Sequence, residues 1–131
     1  MKNLLLVTIT LLFLTGCQSS TKSPIVAVWQ VELIEVNGSE IDGSNMGKWQ
    51  WEFNSAGGYM INLSGEKEKG KYNLKDNKLT LKSTTNLDKP ETVYDLVKVD
   101  SAELVLQPIS ENNKSTIHFI RIGDSDPKLD K

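Results

Sequence analysis

From Val26 onward, apolar and polar residues alternate with a period of two. Trp29, Val31 and Leu33 are separated by Gln30 and Glu32. Trp49, Trp51 and Phe53 interleave with Lys48, Gln50 and Glu52. Tyr59, Ile61 and Leu63 interleave with Met60 and Asn62. Successive side chains of a strand point to opposite faces, so this rhythm marks strands with one buried and one wet face. Tyr72 and Leu74, then Leu79 and Leu81, carry it on. Residues 92–99 mix two parities, with Val93, Val97 and Val99 on one and Tyr94 and Leu96 on the other. Leu104 and Leu106 follow, and then residues 117–122.

Turn-forming residues fall between these segments. Asn37 and Gly38 follow the first, with Asp42 and Gly43 further along the same connection. Residues 54–58, 65–70, 76–77, 100–102 and 111–114 separate the later ones. Such punctuation predicts about eight short antiparallel strands in sequence, joined mostly by tight turns. The fold class is all-β, an up-and-down antiparallel β-barrel. Closing the sheet removes its exposed edges. A two-sheet sandwich is the alternative, and the even rhythm of hairpins favours the meander of a barrel. The outward positions are Glu, Lys, Gln and Asn, which excludes a lipid-facing barrel wall.

The N-terminus departs from this pattern. After Lys2, residues 4–14 are apolar apart from Thr8 and Thr10. That run is shorter than the ~20 residues a helix needs to cross a bilayer and has the length of a secretory signal core. It ends in Leu14-Thr15-Gly16-Cys17, which resembles the lipobox of bacterial lipoproteins. The resemblance implies a signal peptide at residues 1–16 and lipid on Cys17, including an acyl group such as palmitate on the new N-terminus. Residues 17–25 then read as a lipidated tether, 26–122 as the barrel domain and 123–131 as a flexible tail. Two or three acyl chains hold a protein firmly where one binds reversibly. Gln18, with no Asp beside it, implies sorting to the outer membrane, and the lack of a following acidic run implies a periplasm-facing domain.

Charge and composition narrow the chemistry. The formal net charge is −2, with 15 basic and 17 acidic side chains. This balance lacks the electrostatic footprint of a nucleic-acid partner. Cys17 is the only cysteine, so no internal disulfide forms and the domain is held by burial alone. His118 is the only histidine and reads as a half-exposed strand residue. No nucleophile elbow, phosphate loop or zinc motif is present. The expectation is therefore no enzyme, no cofactor and no metal site.

The order of features across residues 25–122 resembles the bacterial lipocalin-like domain family, often found as small lipoproteins. The opening strand carries Val28-Trp29-Gln30-Val31. An Asn37-Gly38 turn follows, then Trp51-Glu52-Phe53 leading through residues 54–58 into Tyr59. Gly70-Lys71-Tyr72-Asn73-Leu74, Lys78-Leu79-Thr80-Leu81 and Glu103-Leu104-Val105-Leu106 come next, and Arg121 sits near the end. Ala27 stands where lipocalins have the glycine of Gly-x-Trp. The resemblance implies a barrel end closed by Trp29 packing near Arg121, as a cation–π contact.

Trp49, Trp51, Phe53 and Tyr59 are the ligand-binding candidates. They are read either as core filling or as the wall of a cavity for a small apolar ligand. If the barrel is filled, an interaction module is the alternative, with the connection at residues 37–48, containing Gly43, Met46 and Gly47, as the surface for an envelope protein or glycan. Replacing Cys17 with serine is expected to move the protein from the membrane fraction to the soluble fraction of its host. Cys17→Ser protein that still sediments with membranes removes the anchoring reading.

Overall fold

The computed structural model describes residues 23–110, 112 and 114–126. The signal segment, Cys17, most of the tether and the end of the tail lie outside the described residues. Nine strands follow one another: β1 (Ala27–Val36), β2 (Ser39–Asp42), β3 (Trp49–Phe53), β4 (Gly58–Leu63), β5 (Glu66–Lys75), β6 (Lys78–Ser83), β7 (Thr92–Val99), β8 (Glu103–Pro108) and β9 (Ser115–Gly123). All neighbours pair antiparallel in the order β2-β1-β3-β4-β5-β6-β7-β8-β9, and β1 also pairs with β9. That last pairing closes an eight-strand up-and-down barrel, with β2 as an additional strand.

The ninth strand comes from residues 37–48. These form β2 and a 3₁₀ turn at Gly43–Met46 in place of a plain loop. The cause is the length of β1. Its first part, from Ala27↔Phe53 to Gln30↔Gln50, pairs with β3. Its second part, from Leu33↔Asp42 to Val36↔Ser39, pairs with β2. The β1–β2 turn has Asn37 and Gly38 at φ 51° and 84°, and the β5–β6 turn has Asp76 and Asn77 at 52° and 58°. Positive φ at both central positions matches the right-handed twist of the flanking strands.

Three local departures from the simple alternation have physical causes. The register of β1 against β9 slips by one residue, from Val31↔Phe119 to Leu33↔His118. This bulge moves the inward position from Leu33 to Ile34, which packs on the core. Against β8, β7 skips Val97, between Leu96↔Leu106 and Lys98↔Val105. Tyr94, Leu96 and Val99 therefore pack inward while Val97 is 55% exposed, which accounts for the mixed parity of that segment. The β4–β5 turn is tight, at Ser64 and Gly65, so residues 66–70 belong to β5 and are not a connection.

The core begins with Ile25, which is fully buried, and includes Trp29, Phe53, Leu79, Leu81, Leu104, Leu106 and Phe119. Packing thus reaches one residue into the expected tether. The carbonyl of Ile25 accepts the indole N–H of Trp29 at 2.9 Å. Beyond β9, the backbone N–H of Asp126 donates to Glu52 Oε1 at 2.6 Å, so the first part of the expected tail lies against β3.

Gly70 is a glycine that the barrel wall cannot exchange. It faces Tyr59 across β4–β5. A Cβ there would lie 2.1 Å from the Lys82 carbonyl oxygen and 2.6 Å from the Tyr59 ring. Gly70→Ala is expected to cost about 1–3 kcal/mol through overpacking against backbone, read as a lower urea midpoint at unchanged slope. Gly123→Ala, which meets nothing within 4 Å, is the control and should stay within about 0.5 kcal/mol. Equal stability of the two variants contradicts the packing account.

Candidate functional site

The two ends of the barrel differ. At the end holding the N-terminus of β1, the interior is filled. Phe53 meets Tyr72 edge-on with ring centroids 5.1 Å apart. The Tyr72 hydroxyl donates to the Asn54 carbonyl at 2.7 Å, and Asn54 Oδ1 accepts from the backbone of Ala56 and Gly58. Trp29 and Arg121 are cross-strand partners here. The Arg121 guanidinium bonds Asp124 at 2.6 Å and is one-third exposed, while the Trp29 indole N–H bonds Ile25.

At the opposite end the interior opens into a cleft of about 470 Å³. Val31, Trp51 and Ile61, all buried, form its floor. Ile34, Trp49, Tyr94 and Ile117 form the walls, and Leu63, Glu66, Lys67, Asn86 and Lys89 line the rim. Trp51 sets the boundary between the two halves. Its ring lies 5.1 Å from Phe119 of β9, 5.5 Å from Tyr94 of β7 and 6.4 Å from Phe53.

Of the four aromatic candidates, Trp49 and Trp51 line the cleft, whereas Phe53 and Tyr59 do not. Phe53 is fully buried in the filled half. Tyr59 lies beneath the cleft with its ring over Gly70 and its hydroxyl donating to Glu68 Oε1 at 2.8 Å. All four share an inward face, but inward positions along tilted strands sit at different depths, and depth decides which ones reach the cavity.

Three further residues of the site, Glu68, Tyr94 and Lys89, do not stand out in the sequence. Residues 66–69 read Glu-Lys-Glu-Lys, a pattern that ordinarily marks a solvated surface. Yet Glu66 and Glu68 share parity with Gly70, Tyr72 and Leu74, and extending that parity backwards along β5 points them inward. Glu68 Oε2 pairs with Lys89 Nζ at 2.8 Å. Lys89 is brought there by the β6–β7 connection, which folds onto β5. Thr84 N–H donates to the Lys69 carbonyl at 2.8 Å, Lys69 N–H to Thr85 Oγ1 at 3.1 Å, and Asn86 N–H to Ser83 Oγ at 3.0 Å. His118 lies outside the cleft and bonds Glu35 Oε2 at 3.0 Å. Among the described residues there is no cluster of three or more His, Cys, Asp or Glu side chains to hold a metal.

No protein-family model matches the chain, and no curated protein matches it in sequence. Solved structures do match. A lipocalin-like protein from Bacteroides uniformis ATCC 8492 superposes with a TM-score of 0.58 at 13% identity, covering 76% of this chain and 100% of that one. The fold is lipocalin-like. An uncharacterized protein from Bacteroides eggerthii DSM 20697 superposes with a TM-score of 0.56 at 16% identity, covering 74% of this chain and 98% of that one.

The polar groups of this lipocalin-like barrel are tuned by its interior. Burial pushes the Tyr94 hydroxyl up to about 12, with the Glu68 carboxylate adding to the shift. Burial and then the Glu68 hydrogen bond raise Tyr59 further still, and burial raises Tyr72. These are the three tyrosines of the chain. In the unfolded chain each ionises near 10, so the folded state binds the more protons above that pH. Their contribution to stability is present below pH 10 and is lost as pH rises toward the folded values. A spectrophotometric titration is expected to show no phenolate step at pH 10 and then a cooperative step that coincides with unfolding. A separate tyrosine step near 10 in the folded protein overturns this assignment.

Proposed function

We propose that this chain is a lipid-anchored envelope protein of outer-membrane type, facing the periplasm, that holds a small hydrophobic molecule in the open mouth of its lipocalin-like barrel. The single observation that carries the ligand reading is the cleft itself. Its volume of about 470 Å³ lies within the ~300–1,000 Å³ of small-molecule sites. Its floor is apolar and its polar groups come from β5, β7 and the β6–β7 connection, as in sites that bury a tail and orient a head. Anchoring through Cys17 is supported by the signal segment and lipobox alone.

A second reading, an envelope protein or glycan partner on residues 37–48, is favoured by one observation. Every residue of β2 is exposed, including Ile41 at 44%.

The mature chain carrying Cys17→Ser is the material for a test. An apolar fluorescent probe such as N-phenyl-1-naphthylamine is expected to bind one to one and to quench tryptophan emission from Trp49 and Trp51. Ile61→Trp fills the floor of the cleft and should weaken the probe roughly tenfold or more, or 1.4 kcal/mol. Native mass spectrometry of protein purified from its own host should show an added small-molecule mass. Probe binding untouched by Ile61→Trp, with the host protein always empty, turns the case to the interaction reading.

A further inference from the structure

If the barrel is a carrier, as proposed above, the hydrogen-bonding groups of its cleft narrow the chemistry of the occupant. Trp51 is only 7% exposed. Its indole N–H has no acceptor among the described residues, in contrast to Trp29, whose N–H is bonded to Ile25. Nor is that nitrogen sealed in protein, since the only fully enclosed side-chain polar atom without a partner among the described residues is Asn54 Nδ2. Trp51 is one of the residues that line the cleft. Tyr94, whose ring lies 5.5 Å from that of Trp51, likewise has a hydroxyl with no acceptor among the described residues. Two donors on neighbouring rings of the cleft lining thus lack an acceptor, and an unpaired donor in such a place favours any ligand that brings one.

The charges around them decide which acceptor. Glu68 is the inward carboxylate, with one oxygen taken by the Tyr59 hydroxyl and the other by Lys89. Lys89 is therefore engaged by an anion already. Glu66 and Lys67 stand at the rim, opposite in sign, where water screens them. A second carboxylate placed beside Trp51 and Tyr94 would face Glu68, which is only partly exposed, and like charges there oppose one another. An uncharged oxygen accepts the same hydrogen bonds without that repulsion.

We infer that the cleft selects a neutral carbonyl-bearing amphiphile, such as an ester, amide or ketone, over the corresponding carboxylate, with Trp51 and Tyr94 as the donors and Glu68 as the discriminating charge. Glu68 both orders the mouth, by holding Tyr59 and Lys89, and rejects acids. The tail of the ligand lies along Val31, Ile34 and Ile61.

Displacement of N-phenyl-1-naphthylamine at neutral pH compares methyl decanoate, decanoate and naphthalene on the mature Cys17→Ser chain. Methyl decanoate is expected to bind about tenfold more tightly than decanoate. Tyr94→Phe, which keeps the ring, should weaken the ester about fivefold and leave naphthalene unmoved. Glu68→Gln keeps an acceptor for Tyr59 but removes the charge, and should shift the ester-to-acid preference about tenfold toward decanoate. Decanoate equal to or tighter than the ester, or a Glu68→Gln variant with unchanged preference, overturns the inference while the cleft still binds its probe. A probe that does not bind the parent chain overturns the carrier reading, and this inference with it. Circular dichroism of each variant confirms that a loss of binding is not a loss of fold.

Discussion

The barrel depends on β1 being long enough to serve two partners on one edge while holding β9 on the other. Its edge toward β3 is shared, with Ala27–Gln30 paired to β3 and Leu33–Val36 paired to β2, while β9 runs along the opposite edge from Val28 to Val36. Closure through β9 leaves the barrel wall without a free edge. It also forces a bend, because a strand that changes partners part-way cannot stay straight. The bend is taken up by the bulge between Val31 and Leu33, over which Gly43 passes so closely that a Cβ would lie 2.7 Å from the Val31 carbonyl. The cleft follows from this geometry. β1 and β3 part after Gln30↔Gln50, and the residues just past that fork, Val31 and Ile34 on one strand and Trp49 on the other, line the opening.

Why one half is filled and the other open comes down to side-chain volume at each depth. The filled half receives Trp29, Phe53, Tyr72, Leu79 and Leu104, and the ring of Tyr59 fits only because Gly70 supplies no Cβ. Trp51 then spans the interior from β3 to Phe119 and Tyr94. Beyond it Trp49 stands at the wall, and the other inward positions there are smaller or polar: Leu63, Glu66 and Glu68 on β4 and β5, and Ile117 on β9. A short barrel can be packed by its own side chains throughout. Placing carboxylates at two successive inward positions of β5 prevents that, since they need water, a cation or a polar ligand beside them.

Much of this is legible in the sequence because period-two burial and paired turn residues are local signals. Trp29, Trp51 and Leu81 are buried as the alternation requires, and Asn37–Gly38 and Asp76–Asn77 turn the chain where the pattern breaks. The departures share a different cause. Leu33 and Val97 leave their expected faces because bulges shift the phase by one residue, and a bulge arises from the partner strand, not from the residue that slips. β2 carries no signal of its own because its four residues, Ser39–Asp42, bury nothing and are strand only through pairing with β1. At the site, the aromatic face of β3 reads as one unit in the sequence, yet height within the barrel separates Trp51 from Phe53. Glu68 is hidden by its own charge, as alternating Glu and Lys ordinarily mark a solvated face.

The position of the chain's entry gives the cleft a direction. Residues 23–25 join the barrel at its filled end, where Ile25 caps Trp29 and Ser23 and Pro24 lie near Arg121 and Asp124. The cleft opens at the other end, flanked by the β4–β5 turn and the β6–β7 connection. Residue 23, from which the proposed tether leads back to Cys17, and the mouth thus lie at opposite ends of the barrel. Under the anchoring proposed above, that placement would suit exchange with a partner or a facing membrane better than extraction from the anchoring leaflet itself. It also suits a ligand held by its neutral head near Trp51, since no interaction with the charged surface of the anchoring membrane is needed to hold the ligand in place.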